Sequence, residues 1–429
     1  MRMLSLLLLA AFAPAGLAAD APAINSGDTA WMLTSTALVL FMTLPGLALF
    51  YGGLVRTKNV LSVLMQCFAI TAAVSLLWLI YGYSLAYAPG SGFIGGWDKV
   101  MFAGIGRNSV SGTIPETVFA MYQLTFAVIT PALVIGAFAE RMRFSAMLIF
   151  SALWFTCVYL PVCHWVWAPD GWLYQRGILD FAGGTVVHIT GGVAALVAAL
   201  VLGKRQGFPN TAMLPHNMAM TVTGAGMLWV GWFGFNAGSA LGANGNAGMA
   251  MLVTHVSAAA GAAAWTLLEW VKYKKPSALG LVTGMVAGLG TITPASGYVG
   301  PGGALLIGLI AGAVCFQATF MVKRVFKIDD ALDVFPVHGV GGIIGTLMAG
   351  FFASDALGVF SGGGYAPGQN MGGQMGVQFL GVAATIVYTG AVSWLLLKAV
   401  SAMVVLRVNS DQEHVGLDIT DHNESSYNS

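Results

Sequence analysis

The sequence is dominated by long apolar segments separated by short polar ones. Five examples are Met32–Phe50, Val60–Ala86, Met147–Val166, Ile189–Leu202 and Gln378–Ala399. A helix needs about 20 apolar residues to cross the hydrocarbon layer, whereas a barrel strand needs about half as many and alternates in polarity. Charged residues make up only 8% of the chain, against roughly 25% in soluble domains. We therefore predict an all-α integral membrane protein.

The first 19 residues show the three-part pattern of a cleaved secretory signal peptide. Arg2 precedes the apolar run Met3–Phe12, and a proline and several small residues follow. This run is too short to span a membrane. We predict cleavage near Ala18–Ala21, which would leave the mature N-terminus outside; a short uncleaved anchor is the alternative.

Hydropathy and helix-breaking residues divide the rest of the chain into eleven predicted spans. They lie near 30–50, 60–87, 115–138, 145–166, 180–202, 217–238, 248–270, 277–294, 301–322, 335–353 and 373–399. With the N-terminus outside, the loops that would face the cytoplasm hold most of the lysine and arginine residues. The outward loops keep only Lys99, Arg107 and Arg176. This asymmetry predicts an N-out, C-in topology.

Two aspartate–histidine pairs indicate an internal repeat. Asp180 precedes His188 by eight residues, and Asp330 precedes His338 by the same interval. The pairs fall on the fifth and tenth spans, which enter the membrane from opposite sides, so a five-helix repeat would be inverted. The predicted halves cover about 30–202 and 217–353, with the eleventh helix outside them. Because the surrounding residues agree only weakly, coincidence is the alternative.

Ionisable side chains inside the predicted spans are the first candidates for function, because a charge is costly in hydrocarbon. His188 lies near the middle of the fifth span, and His338 lies a few residues inside the tenth. Two matched imidazoles could share a proton or line a polar path through an apolar pore. The alternative is that each bonds a backbone carbonyl group. Asp180 is interpreted first as a helix cap and second as a group that attracts cations.

Aromatic side chains near the span ends are the second group of candidates. Trp167 belongs to a tryptophan cluster at the end of the fourth span, Gly231–Ser239 reads GWFGFNAGS, and the third span contains Gln123 and Phe126. Such rings either anchor a helix at the membrane interface or bind cations. From the residue types alone, packing and anchoring are the simpler interpretation.

Enzyme signatures are missing from the sequence. It contains no phosphate-binding loop, nucleophile elbow or zinc-ligand spacing. We predict no enzymatic activity, cofactor, metal site or nucleic-acid partner. A membrane enzyme with two histidine ligands would need a third ligand, for which only His255 is a candidate. The four cysteines are interpreted as small core-facing or lipid-facing residues and not as a disulfide framework.

Several sequence blocks resemble the ammonium transporter family (Amt/Mep/Rh). The run Asp180–His188, continuing to Gly203-Lys-Arg205, is similar to the family signature. Further similar blocks are 37–61, Gly136–Ala146, Gly231–Ala240 and Asp333–Gly345. The likeness covers the mature chain and is strongest to the bacterial AmtB-type branch. Two departures are Tyr122, where phenylalanine is common, and Pro336, where glycine is usual.

The resemblance implies both an assembly and a set of site residues. The assembly is a homotrimer in the bacterial inner membrane with one pore per subunit. The implied site residues are an outer ammonium site of Phe126, Trp167 and Ser239 supported by Asp180, a phenyl gate of Phe126 and Phe235, and the twin pore histidines His188 and His338. Gln123, Trp232, Phe50 and Tyr51 match motif positions near the pore with less defined roles. Residues 20–400 would form the transport domain, and residues 401–429 a cytoplasmic regulatory tail that docks a PII-type (GlnK-like) protein.

An intact cation would lose its hydration in an apolar pore, at a cost of several kcal/mol or more. We therefore expect ammonium to lose its proton near the gate and cross as ammonia. If the histidines relay the proton, transport is electrogenic; if the proton stays outside, the protein is a passive gas channel. A third possibility, an ammonium sensor, is less favoured because only about 30 residues follow the last span.

Overall fold

The computed structural model describes residues 24–355 and 364–427. The predicted signal peptide, residues 1–19, lies outside the described residues. In the described part, eleven apolar helical segments follow one another: α1 Ser26–Leu54, α2 Thr57–Tyr87, α3 Glu116–Phe138, α4 Phe144–Trp167, α5 Gly184–Leu202, α6 Met218–Gly238, α7 Gly245–Tyr273, α8 Ala278–Ile292, α9 Pro301–Val325, α10 Phe335–Phe352 and α11 Met371–Met403. All except α8, which has 15 residues, are long and apolar enough to cross a membrane.

The β-strands of the described residues lie between α2 and α3. Two short antiparallel hairpins pair Gly90–Ser91 (β1) with Ile94–Gly95 (β2), and Val110–Ser111 (β3) with Ile114–Pro115 (β4). The prediction of an all-α protein with apolar helical spans is confirmed by the helices. The topology across the membrane, the inverted repeat and the trimer stay predictions.

Polar side chains mark where several apolar helices begin. The side chains of Asn25, Asn217, Asn244, Ser277 and Asn370 each accept a backbone N–H bond at the start of α1, α6, α7, α8 and α11. The first N–H groups of a helix have no partner within it, so a side-chain oxygen at this position stabilises the helix start.

The C-terminal tail supplies the caps for two further helices. It forms two short helices, α12 (Ser410–Val415) and α13 (Leu417–His422). The Asp418 carboxylate accepts bonds from the backbone N–H groups of Leu61 and Ser62 in α2, at 3.1 and 2.8 Å. Asp421 accepts the N–H of Phe144, the first residue of α4, at 3.0 Å. The tail is thus an integral part of this end of the bundle, which we call the tail end.

A buried ion-pair cluster joins the loops at the tail end. Arg205 lies between Asp329 and Glu140, with N···O distances of 2.7 and 3.0 Å, and Arg56 pairs with Glu140 at 2.8 Å. Burial alone would raise the pKa of Glu140, but Arg205 and Arg56 hold that pKa below its ordinary value. Removing one member would leave a buried charge without a partner, so these loops are held in a single arrangement.

Glycine allows α5 and α10 to cross in direct backbone contact. A Cβ atom at Gly192 of α5 would overlap the backbone N and Cα of Gly339 in α10. Gly342, one turn further along α10, lies against the His188 side chain, where a Cβ would come within 2.8 Å of the histidine Cβ. The close crossing brings the two helices that carry His188 and His338 together at the centre of the bundle.

The start of α5 differs from the sequence prediction. We expected the span to begin at residue 180 and to place His188 near its middle, but α5 begins at Gly184 and His188 is its fifth residue. The Asp180 side chain accepts the N–H groups of the first helical turn, and Gly183 adopts φ +120°, which a residue with a Cβ rarely adopts. Residues 180–183 therefore form a capping turn ahead of the helix.

We predict that Gly192→Ala destabilises the protein by about 1–3 kcal/mol, because the added methyl group overpacks the crossing of α5 and α10. The measurement is thermal unfolding of the purified protein. Gly226→Ala is the matched control, because a Cβ at Gly226 meets nothing within 4 Å and alanine favours a helix by up to about 1 kcal/mol. Equal melting temperatures for both variants would contradict the proposed close contact.

Candidate functional site

A column of stacked side-chain rings runs through the bundle. Trp167 meets Phe126 edge to face, with ring centroids 5.6 Å apart, and Phe126 lies 4.3 Å from Phe235. Phe235 lies 6.1 Å from the His188 ring, and His188 lies 5.2 Å from His338. These five rings come from α4, α3, α6, α5 and α10, and we call them the ring column. The bundle thus aligns residues that are up to 212 positions apart in the sequence.

The Trp167 end of the ring column is partly open to solvent. Trp167 and Ser239 are half-buried, whereas Phe126 and Phe235 are each 1% exposed. The Trp167 indole N–H donates to the backbone oxygen of Asp180 at 3.0 Å, which fixes the ring orientation. The phenyl pair therefore separates the half-open end of the column from the buried histidines.

Tyr122 connects Ser239 to the phenyl pair. Its hydroxyl lies 2.9 Å from the carbonyl oxygens of Gly234 and Phe235 and 3.2 Å from the Ser239 hydroxyl. The Ser239 hydroxyl also donates to the Phe235 carbonyl oxygen at 2.9 Å. The Tyr122 ring packs 5.0 Å from Phe126. We did not predict a role for Tyr122; the available signal was its departure from the phenylalanine that is common in the family.

Asp180 acts on the site through the helix that follows it. Its carboxylate accepts the backbone N–H groups of Gly183, Gly184, Thr185 and Val186, and also the Thr185 hydroxyl. This geometry agrees with its interpretation as a cap. One residue therefore fixes both the start of α5, which carries His188, and the Trp167 ring.

The two histidines bond to each other. Their Nδ1 atoms are 3.2 Å apart, and their ring planes are inclined by 12°. The His188 Nε2 atom is buried and has no hydrogen-bond partner among the described residues. If both rings are neutral, the shared bond requires one Nδ1–H donor and one Nδ1 acceptor. The pair then offers one Nε2 acceptor and one Nε2–H donor to anything that lies beside it.

An apolar lumen adjoins the histidine pair. It is lined by Met42, Leu47, Phe50, Ile129, Leu133, Val187, His188, Leu228, Trp232, Phe235, Val286 and His338. The Trp232 ring lies 5.6 Å from His188, and its N–H donates to the Thr293 hydroxyl at 2.9 Å. With this N–H engaged, the polar atoms available in the lumen are those of the histidines.

A larger cavity continues from the lumen to the tail end of the bundle. This tail-side vestibule measures about 320 Å³. Phe50 and His338 line both cavities, while Tyr51 lines the vestibule and donates its hydroxyl to the Leu133 carbonyl oxygen at 3.1 Å. His338 therefore lies at the junction of the lumen and the vestibule.

Gln123 and Pro336 complete the set of predicted positions. Gln123 is 9% exposed, and its Oε1 atom has no hydrogen-bond partner among the described residues. Gln123 lines neither the lumen nor the tail-side vestibule. Pro336 occupies the first turn of α10, where its missing N–H costs little. The helix begins there without displacing His338 from His188.

The histidines His164 and His255 and the four cysteines lie outside the ring column. The two ring nitrogens of His164 lie 2.9 and 2.7 Å from the backbone oxygens of Ala86 and Ser91. His255 is on the exposed face of α7, beside Trp229. The cysteines are unpaired. Within 24–355 and 364–427, no three histidine, cysteine or acidic residues come together as a metal-ligand set.

Comparison with known proteins gives consistent matches along the chain. The model of the Ammonium Transporter Family matches residues 30–427. An ammonium transporter of Bacillus subtilis is 49% identical over 406 residues, which cover 94% of this chain and 99% of that one. An ammonium transporter of Aquifex aeolicus is 46% identical over 427 residues, which cover 98% of each chain.

Solved structures with the same fold include yeast Mep2 and a protein described as a sensor. Saccharomyces cerevisiae Mep2 has a TM-score of 0.82 at 36% identity, with 90% of this chain and 88% of that chain covered. A structure described as a sensor Amt protein has a TM-score of 0.86 at 30% identity, with 92% and 98% covered. The apolar helices and these matches make the chain a multi-pass membrane protein.

Proposed function

The chain belongs to the ammonium transporter family, and we propose from this premise that it carries ammonium across the membrane in a deprotonated form. Ammonium is recruited at the Trp167 end of the ring column, loses its proton near the phenyl pair, and passes the histidines as ammonia. The ring column is the observation that carries this proposal, because it links a half-open aromatic site to a buried polar pair.

Recruitment rests on the aromatic faces and the hydroxyl group at the half-open end. Trp167 and Phe126 lie edge to face with ring centroids 5.6 Å apart, and a cation gains up to about 2 kcal/mol at a desolvated aromatic face. The Ser239 hydroxyl oxygen can accept an N–H bond from the same cation. Asp180 supports this site by holding the Trp167 indole and the start of α5.

Deprotonation follows from the cost of moving a cation from the half-open end into the apolar lumen. Beyond the phenyl pair, the lumen offers apolar side chains and two imidazoles, which cannot replace the hydration shell of a cation. Ammonia is neutral and passes at much lower cost. Phe126 and Phe235 act as a gate that must part for each molecule.

The histidine pair provides a route for the proton. The free Nε2 of His188 can receive a proton, the bond between the Nδ1 atoms can transfer one, and His338 can release one into the tail-side vestibule. Transport along this route is electrogenic, because one proton accompanies each ammonia. Potassium has no proton to release, so the same pore excludes it.

The family further supports an assembly and an orientation. We infer a homotrimer in the bacterial inner membrane with one pore per subunit, N-out and C-in, with α1–α5 and α6–α10 as inverted repeats. The excess of lysine and arginine in alternate loops supports this orientation. In that orientation, the tail and the ion-pair cluster face the cytoplasm.

The cytoplasmic tail is the proposed docking element for a trimeric PII-type protein. Its contacts support a defined surface: Glu413 accepts the N–H of Gln206 at 2.7 Å and pairs with Arg407 at 2.7 Å, while Asp418 caps α2. A partner that covers this face would block the tail-side vestibule and stop transport.

We predict that Trp167→Leu lowers the apparent affinity for ammonium by about 5- to 30-fold, which corresponds to about 1–2 kcal/mol of lost cation–π attraction. The measurement is the ammonium dependence of transport by the purified protein in liposomes. Trp172→Leu is the control, because Trp172 contacts Trp165 and Phe93 and not Phe126. An unchanged affinity in Trp167→Leu would rule out this ring as the recruitment site.

We predict that His188→Ala and His338→Ala each abolish the transient current that ammonium evokes in liposomes containing the native protein. Potassium should evoke no current. His255→Ala is the control, because it removes an imidazole from the exposed face of α7.

Other outcomes of this experiment distinguish the alternatives. Ammonia flux without current in the native protein, read from internal pH, would indicate a passive gas channel. Ammonium binding without flux or current would favour a sensor, the description given to one structural relative.

We predict that one PII-type trimer binds three chains and that Asp418→Asn weakens this binding by about tenfold, because the amide has one acceptor oxygen in place of the two that hold the N–H groups of Leu61 and Ser62 in α2. The measurements are the mass of the complex and the equilibrium affinity. Asp411→Asn removes an exposed tail carboxylate and is the control. A mass that does not correspond to three chains would contradict the homotrimer, and equal affinity in both variants would contradict docking through the folded tail.

A further inference from the structure

An ion pair shares the tail-side vestibule with His338. Lys323, near the end of α9, and Asp333, just before α10, both line this cavity. The Lys323 Nζ atom lies 2.8 Å from Asp333 Oδ2. The second carboxylate oxygen, Oδ1, is buried and has no hydrogen-bond partner among the described residues. Asp333 therefore has an oxygen that can accept a proton.

Among the described residues, the other charged groups that line the vestibule do not offer such an oxygen. The Oδ1 atom of Asp330 is also buried without a hydrogen-bond partner, but Asp330 does not line the cavity. Glu269 also lines the cavity, but its carboxylate accepts the backbone N–H and the hydroxyl of Ser277. Arg324 is a donor only. Asp329 is held by Arg205 in the ion-pair cluster.

The surroundings of Asp333 raise its proton affinity. Burial raises the pKa of Asp333, although Lys323 opposes the shift. Burial together with the neighbouring Asp333 raises the pKa of Asp330 to about 6. The shift in Asp333 moves its carboxylate toward the range in which an imidazole titrates, so proton exchange between the two kinds of group costs less than it would with an ordinary aspartate.

Asp333 and His338 are also held by the same element. The Asp333 backbone oxygen accepts the N–H of Val337 at 3.2 Å, so the residue forms part of the turn that starts α10. Asp333 itself adopts φ +60°, a left-handed conformation that aspartate and asparagine tolerate better than most residues. Asp333 therefore lies five residues before His338 on one ordered stretch of backbone.

We propose that Asp333 is the proton acceptor that receives the relayed proton from His338 and releases it to the cytoplasm. This role presupposes the histidine relay described above. An N–H bond of the protonated His338 breaks, and the proton crosses water in the vestibule and forms an O–H bond at Asp333 Oδ1. Loss of this proton to cytoplasmic water restores the carboxylate, and ammonia takes its own proton from water.

Lys323 favours loss of the proton from Asp333. While Asp333 is ionised, the pair is neutral overall and half-buried. When Asp333 is protonated, the Lys323 charge lacks its partner at 2.8 Å, and this favours loss of the proton again. The ion pair therefore keeps Asp333 a transient acceptor, so that the proton does not remain there.

The test compares native protein with Asp333→Asn in liposomes, reading ammonium-evoked current and ammonia flux separately. Asparagine keeps the shape and tolerates φ +60° but cannot take up the proton. We expect the current to fall about 100-fold, the lower end of what a positioned proton-transfer group contributes, while ammonia flux remains. Glu269→Gln, which alters another vestibule carboxylate, should keep the native current.

The double variant Asp333→Asn with Lys323→Gln separates proton transfer from simple charge balance. It removes both charges, and we expect the current to stay low. A restored current would show that Asp333 only neutralises Lys323, and loss of both current and ammonia flux in Asp333→Asn would show a structural role; either result overturns the proposal. A native-like current in Asp333→Asn also overturns the Asp333 proposal. The histidine relay then still stands, provided that the current depends on His188 and His338. If the native current does not depend on the histidines, the relay itself is wrong.

Discussion

The cost of moving a charge from water into hydrocarbon governs the arrangement of this molecule. It explains why charged residues are scarce in the spans and gather at the tail end, where Arg205 has two carboxylate partners. The same cost acts on the substrate. A pore lined by apolar side chains and rings admits ammonia far more readily than ammonium. The function proposed above therefore gives the base and its proton separate routes, with the ring column and the histidine pair at adjacent places.

Close helix crossings and carboxylate caps position these groups. Gly192 and Gly339 let α5 and α10 touch, and Asp180 fixes where α5 begins. The tail adds further fixed points, since Asp418 and Asp421 cap α2 and α4. Stability and site geometry therefore depend on the same few contacts, and a change at any of them alters both.

Much of this architecture could be predicted from the sequence, because apolar length and loop charge follow directly from the membrane environment. The eight-residue spacing before His188 and His338 also predicted that they meet. The helix α5 begins four residues after the start of the predicted span, since a carboxylate that caps a helix across a four-residue turn looks like the first residue of the span. The contacts of Tyr122 and the role proposed for Asp333 were not predicted. Both depend on which residues from distant helices lie opposite them, and hydropathy carries no such information.

In the proposed relay, the bond between the two Nδ1 atoms means that each transferred proton changes the tautomers of the histidine pair. When a proton enters at His188 Nε2 and another leaves from His338 Nε2, the shared hydrogen moves from one Nδ1 to the other. Both rings finish in the opposite tautomer, and the pair is then set to conduct in reverse. Forward transport can resume only after the hydrogens return or the rings reorient. Such a reset step would place a ceiling on turnover that is independent of how fast ammonia itself diffuses through the lumen.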